Sequence, residues 1–267
     1  MTEPADWLRS SIGSSTPDSI TVAGRDLPSE VMGRLSLTQL AFLLLAHREP
    51  SDGECRLLDA VLVSLADHGL TPSALAARLT YTGAPESIQG AIAAGLLGAG
   101  SVFLGPTGDT AEFLFDTIRD HGEGRTDDAT LQRIARVAVE ALIGAGARVP
   151  GLGHPVHRDE DPRVPRLYQL AGAEGPLGPH MRLLRFVADA HTEVRGRRLV
   201  INGAGAGGAL LLDVGVPPGS VRGFVLIART AGLVAHLAEE AAHPIGRRLW
   251  LEVEDRATPL DQDKLAR

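Results

Sequence analysis

Two histidines lie in an irregular, charged segment, residues 144–165, that is rich in glycine and proline. His154 stands between Gly153 and Pro155, and His157 follows three positions later. A histidine exchanges a proton near neutral pH with little adjustment, so either ring could act as a general acid or base. Loops held by rigid helices often carry functional residues, and this segment is therefore the first candidate site.

The same two histidines could instead indicate a metal site, because an HxxH pair supplies two ligands. Pro155 disfavours a regular helix between them, and the sequence offers no evident third ligand. Cys55 is the only cysteine, which excludes a thiolate cluster. We expect no metal.

Arg229 stands in an otherwise apolar helical stretch, residues 225–235. Burial of its charge would be costly unless a carboxylate or a ligand pairs with it. The planar guanidinium fork pairs bidentately with carboxylates, so a carboxylated substrate is one possible partner. A structural ion pair, or a side chain that extends to solvent, is the alternative.

Helices must position most of these residues. Apolar residues recur at the three- and four-residue spacing of a buried helix face, as in residues 37–45 and 57–65. Strand patterns are scarce and limited to residues 19–22, 198–201 and 250–253. A chain of 267 residues with 44% hydrophobic residues can form one large domain or two small ones. The sequence therefore predicts a mostly helical protein.

Charge and hydropathy limit the partners. The formal net charge is −7, and no basic run is present. Neutralising phosphates supplies most of the affinity for nucleic acid, so we expect no nucleic-acid partner. No run of about 18 uncharged apolar residues is apparent, and the N-terminus lacks a basic segment followed by an apolar one. We expect no membrane partner and a cytoplasmic location.

Four segments, taken in order, resemble the citrate synthase superfamily. They are Asp67-His68-Gly69 with Ala77-Arg78; Val149-Pro150-Gly151-Leu152-Gly153-His154 with Asp161-Pro162-Arg163; Leu199-Val200-Ile201-Asn202; and Ala228-Arg229-Thr230-Ala231-Gly232 with His236. Together with Gly24-Arg25-Asp26-Leu27 upstream, the match covers nearly the whole chain. The short length of the chain is similar to that of the citryl-CoA lyase branch. The resemblance implies cleavage or formation of a carbon–carbon bond in a carboxylated acyl-CoA thioester, with coenzyme A as part of substrate or product.

The resemblance also implies an architecture. It is an all-α homodimer with a large helical domain, residues 1–106 and 223–267, and a smaller inserted helical domain, residues 107–222. The active site of such a protein lies between the two domains.

The resemblance assigns roles to particular residues. His154 matches the catalytic histidine that contacts the hydroxyl or ketone oxygen of the substrate. The positions matched to substrate binding are His68, Arg163, Asn202, Arg229 and Arg247. The positions matched to the backbone that meets coenzyme A are Val149, Gly151, Leu152 and Gly153.

Two positions depart from the family pattern. Residues 101–106 contain no histidine where citrate synthases have a second catalytic one, which favours a lyase over a synthase. The catalytic aspartate would follow Asn202 by two positions, and this chain has Ala204 there. Asp213 lies too far along the chain to replace it simply. A homologue that binds CoA esters without cleaving them is therefore one alternative function, and an enzyme of the same fold acting on another acyl-CoA is a second.

A third alternative comes from glycine spacing. Residues 198–202 followed by residues 203–208 could be a strand that leads into a dinucleotide-binding loop, which would indicate an oxidoreductase. The pattern of a βαβ unit is missing, however, and Gly223 stands near the place where an acidic residue is expected. The sequence favours this alternative least.

Overall fold

The structure, a computed structural model, describes residues 10–258. Within that range a small sheet is followed by eleven α-helices. The helices are α1 (Leu37–Ala46), α2 (Asp52–Ala66), α3 (Pro72–Gly83), α4 (Ile88–Ala99), α5 (Gly105–His121), α6 (Asp128–Gly144), α7 (Arg163–Glu174), α8 (Pro179–Arg195), α9 (Gly203–Val214), α10 (Val221–Ala242) and α11 (Gly246–Arg256). The predicted all-α class is confirmed.

The sheet has three short antiparallel strands, β1 (Gly13–Ser15), β2 (Ile20–Val22) and β3 (Arg25–Asp26), in the order β1-β2-β3. The strand pattern at residues 19–22 thus corresponds to β2. Residues 198–201 contribute one isolated antiparallel bridge, from Ile201 to Leu152. The strand pattern at residues 250–253 was wrong, because these residues lie within α11. The Glu240 carboxylate accepts the N–H groups of Ile245 and Gly246 and so supports the start of that helix.

The described chain divides into two compact units. One contains residues 10–65 and 106–225, and the other contains residues 66–105 and 226–258. The boundaries at 106 and 225 lie close to those of the predicted insertion at 107–222, whereas residues 10–65 group with the insertion in this division. The predicted large and small domains stay a prediction.

In the first unit, α8 packs against α6 and α9, and α7 packs against α9. The core between these helices consists of fully or almost fully buried aliphatic side chains, among them Leu131, Ile134, Leu183, Leu184, Leu210 and Leu211. Gly208 of α9 lies so close to α5 that an added Cβ would approach the Thr107 carbonyl oxygen to 2.5 Å. Close packing of this kind fixes the position of the α9 N-terminus.

In the second unit, α3 packs against α4 and α11. Its core includes Ala77 and Ala91, together with Leu233 and Leu237 from α10. An added Cβ at Gly95 would lie 2.8 Å from the Cδ atoms of Leu233, so a larger residue there would have to displace this core side chain. Because α3 and α10 both contribute to this core, Arg78 of α3 and His236 of α10 lie within hydrogen-bonding distance.

Two helical segments, Ile88–His121 and Pro218–Ala242, are long and apolar enough to cross a membrane by length and composition. This is weak evidence, because core helices of proteins without a membrane pass the same test. Within the described chain, 28% of the apolar 18-residue stretch in the first segment and 44% of that in the second are buried. The expectation of no membrane partner stays a prediction.

Candidate functional site

In the first unit, the glycine-rich loop before His154 pairs with the segment that leads into α9. The Gly153 N–H donates to the Val200 carbonyl at 2.7 Å, and the Asn202 N–H donates to the Gly151 carbonyl at 3.0 Å. Gly151 and Gly153 both have φ of +82°, a conformation that glycine adopts without strain. These bonds bring the segment of the predicted CoA-binding residues, Val149, Gly151, Leu152 and Gly153, next to residues 200–202, which lead into α9.

Asn202 fastens this arrangement at both ends of its amide. Its Nδ2 donates to the Gly153 carbonyl at 2.8 Å, and its Oδ1 accepts the Gly205 N–H at 2.8 Å as the N-cap of α9. The residue is buried, with 9% of its surface exposed. The geometry gives Asn202 a structural role, and the predicted contact with substrate stays a prediction.

A buried ion pair lies beside the α9 N-terminus. The Asp161 carboxylate, which is fully buried, accepts the Arg163 guanidinium through Nε at 2.9 Å and Nη2 at 2.7 Å. It also accepts the Gly203 N–H at 2.7 Å. Burial by itself raises the pKa of this carboxyl, but the hydrogen bonds from Arg163 and Gly203 outweigh burial and lower the pKa to about 2. Asp161 is therefore an anion at neutral pH.

The ion pair occupies most of the Arg163 fork. Arg163 Nη1 donates to the Ser64 carbonyl at 3.4 Å, while Nε and Nη2 are bonded to Asp161. A bidentate clamp on a substrate carboxylate would need two adjacent donors of that fork. The predicted substrate role of Arg163 stays a prediction, and its observed role is to neutralise Asp161.

Packing explains the glycines at the start of α9. A Cβ at Gly203 would lie 2.4 Å from Arg163 Nε, and a Cβ at Gly205 would lie 2.6 Å from the Gly151 Cα. The sheet of residues 10–258 is antiparallel and confined to residues 13–26, so the described chain places no βαβ unit around this loop. These observations argue against the dinucleotide-binding alternative.

His154 has a defined hydrogen-bonding arrangement. Its Nδ1 accepts the backbone N–H groups of Val156 at 3.1 Å and His157 at 3.0 Å. An acceptor nitrogen carries no proton, so the neutral ring carries its proton on Nε2. The His154 and His157 rings stack with centroids 4.4 Å apart. His154 is thus held as an Nε2–H donor.

Ala204 occupies the position of the family's catalytic aspartate. It lies in the first turn of α9 and is partly exposed, whereas Gly203 and Gly205 on either side are buried. A carboxylate at this position would therefore reach a surface accessible to ligand. The alanine methyl group cannot exchange a proton, and a replacement acid would have to come from elsewhere.

Two acids of the first unit, one at each end of α9, already have hydrogen-bond partners. Asp161 is held ionised by Arg163 and Gly203, as described above. Asp213, at the other end of α9, accepts the His180 and Met181 N–H groups at 2.9 Å and lies 2.8 Å from His180 Nδ1. Asp213 therefore caps the N-terminus of α8. This position is consistent with the expectation that Asp213 does not simply replace the catalytic aspartate.

A cleft that the sequence analysis missed also lies in this unit. Its volume is about 1070 Å³, and its walls include the 199–201 segment, Tyr168, Arg185 and Arg198. Tyr168 is half-buried, its hydroxyl donates to the Met181 carbonyl at 2.8 Å, and burial raises its pKa. The residues come from α7, α8 and the bridge segment, so no local pattern marks the cleft.

In the second unit, the Asp67-His68-Gly69 turn faces α10. Asp67 Oδ1 lies 2.8 Å from His236 Nε2 and 3.9 Å from Arg229 Nη1, while Oδ2 accepts the Gly69 N–H at 2.8 Å. Burial raises the pKa of the Asp67 carboxyl, but the bonds from Gly69 and His236 outweigh it and hold that pKa below its usual value. His68 is exposed and Arg229 is buried. Two predicted carboxylate-binding residues are thus linked through Asp67.

Arg78 of α3 extends this group inward. It is 2% exposed, donates Nε–H to His236 Nδ1 at 3.2 Å and bonds Glu240 at 3.0 Å. Glu239 is a further ion-pair partner of Arg78. The two carboxylates compensate the buried guanidinium. Arg78 and His236 belong to the motifs that carry the family resemblance, but the sequence alone indicates no function for either.

Arg247, the last predicted substrate ligand, is exposed on α11. It lines a shallow surface depression with Pro244, Leu251 and Asp255. Its assignment stays a prediction.

Comparison with known proteins identifies the family. Residues 21–249 match the model of the citrate synthase C-terminal domain, and the chain belongs to the citrate synthase family. The structure is similar to citryl-CoA lyase from Hydrogenobacter thermophilus, with 29% identity, a TM-score of 0.78 and coverage of 95% of this chain and 94% of that chain. The expected place near the citryl-CoA lyase branch is confirmed.

Other relatives are larger proteins. A Mycobacterium tuberculosis protein that carries the name putative citrate synthase 2 is 30% identical over 80% of this chain and 55% of its own length. This chain thus spans about half the length of that curated relative. An aspartate-to-alanine variant of Methanosaeta concilii ATP citrate lyase, solved with (3S)-citryl-CoA, has 21% identity, a TM-score of 0.73 and coverage of 100% of this chain and 44% of that chain. That likeness concerns the fold.

Proposed function

We propose that this chain binds a carboxylated acyl-CoA thioester and acts as a carbon–carbon bond lyase of the citryl-CoA lyase type, with proton transfer weakened by Ala204. The observation that carries the proposal is the His154 loop, which is fastened to the α9 N-terminus by Asn202 and the Gly151 and Gly153 backbone. This arrangement supports a fixed Nε2–H donor next to a segment suited to a CoA ester. Homology to citryl-CoA lyase supports the substrate class.

The proposed chemistry follows from the His154 tautomer. As an Nε2–H donor, the ring hydrogen bonds to the hydroxyl or ketone oxygen of the acyl group. Cleavage requires removal of the hydroxyl proton, and Nε2 in this arrangement already carries one. Condensation requires donation to the ketone oxygen, which the tautomer suits directly. Cleavage therefore needs release of the two N–H bonds to Nδ1, or a second base.

The second half of the reaction is where Ala204 matters. Breaking the carbon–carbon bond leaves a thioester enolate that must be protonated at its α-carbon, and a positioned acid contributes about 10²–10⁴-fold to such a step. Asp161 is ionised, and Asp213 caps α8, so neither supplies that proton. Slow turnover of citryl-CoA is the expected consequence.

A second candidate function is a homologue that binds CoA esters without cleaving them. Ala204 favours it, because the fold and the His154 loop are retained where the acid is replaced. An ATP citrate lyase of similar fold, solved as an aspartate-to-alanine variant with (3S)-citryl-CoA, supports the idea that this fold accommodates the thioester. An enzyme acting on another acyl-CoA fits the same geometry if another group moves the proton.

The wider proposals concern partners. We propose a homodimer, coenzyme A as part of the ligand, no nucleic-acid or membrane partner, and a cytoplasmic location. Exposed apolar side chains on the second unit support the dimer, notably Leu97 at 81%, Val102 at 73% and Trp250 at 58% exposure. Large exposed apolar areas commonly mark subunit contacts.

Ligand-dependent thermal unfolding tests the proposal. Binding to the folded state alone stabilises it by roughly 2.7 kcal/mol when the ligand is at a hundredfold excess over its dissociation constant. Citryl-CoA and free CoA are expected to raise the melting temperature, and NAD(H) is expected to leave it unchanged. Single-turnover cleavage of citryl-CoA then separates a slow lyase from a binding protein. Stabilisation by NAD(H) alone would contradict the proposal.

A further inference from the structure

The polar chain from Arg78 through His236 to Asp67 has a single direction of hydrogen bonding. Arg78 Nε–H donates to His236 Nδ1 at 3.2 Å, and an arginine cannot accept. The His236 proton therefore lies on Nε2, which is 2.8 Å from Asp67 Oδ1 and donates to it. Each hydrogen bond in this polar chain therefore has a defined donor and a defined acceptor.

The polar chain of Arg78, His236 and Asp67 is held firmly at its inner end. Glu240 is 3% exposed, pairs with Arg78 and also accepts the Ile245 and Gly246 N–H groups at 3.0 and 2.7 Å. Burial raises the pKa of the Glu240 carboxyl, but these backbone bonds and Arg78 outweigh it and lower the pKa. An added Cβ at Gly246 would lie 2.1 Å from Thr82 Oγ1, which leaves little room for rearrangement. The inner end is thus a rigid support.

The outer end of the chain is Asp67, half of whose side chain is exposed. Its two oxygens meet different targets: Oδ2 holds the Gly69 N–H and so the turn that carries His68, and Oδ1 lies 3.9 Å from Arg229. At 3.9 Å the contact with Arg229 is electrostatic, since charge-assisted hydrogen bonds are about 2.7–2.9 Å long. Asp67 thereby attracts the guanidinium without bonding it directly.

We propose that Arg78, His236 and Asp67 are positioning residues that orient the His68 turn and the Arg229 guanidinium for a ligand carboxylate. The inference rests on the proposed function, in which His68 and Arg229 receive the carboxylates of the acyl group. None of the three acts on the reacting atoms. Their effect is to hold two binding groups on α10 and the turn in one arrangement before the ligand arrives, which lowers the cost of binding.

The experiment uses the full chain, citrate alone as the carboxylate probe and free CoA as the second probe. His236→Leu removes both hydrogen bonds of the imidazole. His236→Gln keeps them, because its amide oxygen can accept from Arg78 and its NH₂ can donate to Asp67. His243→Leu is the matched control, since His243 is exposed just after the end of α10. Dissociation constants and exchange of the Gly69 amide are measured for each.

We expect His236→Leu to weaken citrate binding at least about tenfold and to accelerate Gly69 amide exchange by a similar factor, because a hydrogen bond to a charged group is lost. His236→Gln and His243→Leu should match the parent chain in both, and CoA affinity should be unchanged throughout. Parent-like citrate binding and Gly69 exchange in a folded His236→Leu chain would overturn the inference.

Asp67→Ala keeps the test decisive if His236→Leu does not fold, since Asp67 is half-exposed. Removal of a negative charge predicts tighter binding of citrate on electrostatic grounds alone. Positioning predicts the reverse, a loss of about tenfold or more. Tighter binding would therefore refute the inference.

A parent chain that binds CoA but not citrate would also overturn this assignment while leaving CoA-ester binding supported. A chain that binds neither CoA nor citryl-CoA would instead defeat the proposed function, and Gly69 exchange would still decide whether the three residues order the turn.

Discussion

The backbone N–H of Gly203 donates to the Asp161 carboxylate at 2.7 Å, one residue before Ala204. The N-terminus of α9 thus already has a buried anion, which Arg163 neutralises. An acid introduced at Ala204 would enter a region with a compensated charge rather than an unpaired one. We therefore expect the helix start to accept an aspartate at position 204.

Ala204→Asp tests that idea. We expect citryl-CoA cleavage to appear or to rise by about 10²–10⁴-fold, because the enolate gains a positioned proton donor. Ala204→Asn is the matched control, with a similar shape and no ionisable group. Single-turnover assays of the three chains measure the effect. Equal rates for the aspartate and asparagine variants, or rapid cleavage by the parent chain, would show that another group carries the proton.

The His154 ring has two separable functions, which two substitutions distinguish. His154→Ala removes the Nδ1 acceptor and the Nε2–H donor, whereas the side-chain amide introduced by His154→Asn retains an oxygen acceptor for the loop N–H groups. In the Ala204→Asp background, we expect both to lower turnover by about 10²–10⁴-fold. Only His154→Ala should accelerate amide exchange at Val156 and His157. Substantial turnover by His154→Asn would contradict the donor role.

Asp161 should make folding stability depend on pH. Its pKa is about 2 in the folded chain, below the ordinary value of 3.8, so the unfolded state binds a proton first on acidification. Its contribution is present above about pH 4 and is lost as the pH falls toward 2, by roughly 2 kcal/mol in total. Urea unfolding across this range measures it.

Two substitutions isolate this contribution. Asp161→Asn should reduce the pH dependence by the Asp161 contribution, whereas the exposed Asp18→Asn should retain it in full. A parent-like slope in the Asp161→Asn chain would show that the stability lost on acidification comes from other groups.

Glycines at the start of α9 should be needed for packing rather than for ligand approach. Gly203→Ala places a Cβ 2.4 Å from Arg163 Nε and should destabilise the chain by roughly 1–3 kcal/mol, in the range of overpacked positions. Gly172→Ala in α7, with open space around its Cβ, should stabilise it by roughly 0.5–1 kcal/mol. Chemical denaturation compares the two. A neutral Gly203→Ala would undermine the packing explanation.

The proposed homodimer can be tested on α4. Leu97 is 81% exposed, and Leu97→Glu should shift the chain from dimer to monomer at micromolar concentration, because a charge in an apolar contact is costly. Val137 is a half-exposed residue of α6, in the predicted small domain, and Val137→Glu should leave the dimer intact. If light scattering shows that the parent chain is a monomer at the same concentration, the proposed dimer is refuted.

The sequence by itself determined the helical class and the family. Helical periodicity is a local property that each amphipathic segment carries independently, and the His154 and Arg229 motifs are contiguous runs. The replacement of the aspartate by Ala204 is equally legible, because it follows Asn202 at a fixed distance. Residues 250–253 were wrongly predicted as a strand, because a four-residue alternation of apolar and polar residues also occurs on the surface of a helix such as α11.

Only the tertiary structure decided which polar groups meet. Arg78 is bonded to His236, which lies 158 positions further along the chain, and Gly203 to Asp161, which lies 42 positions earlier. Arg163 reads in sequence as a substrate clamp, whereas its fork is bonded to the buried Asp161. The physical reason is that burial makes partners obligatory for charged groups, and the packing of distant helices selects those partners.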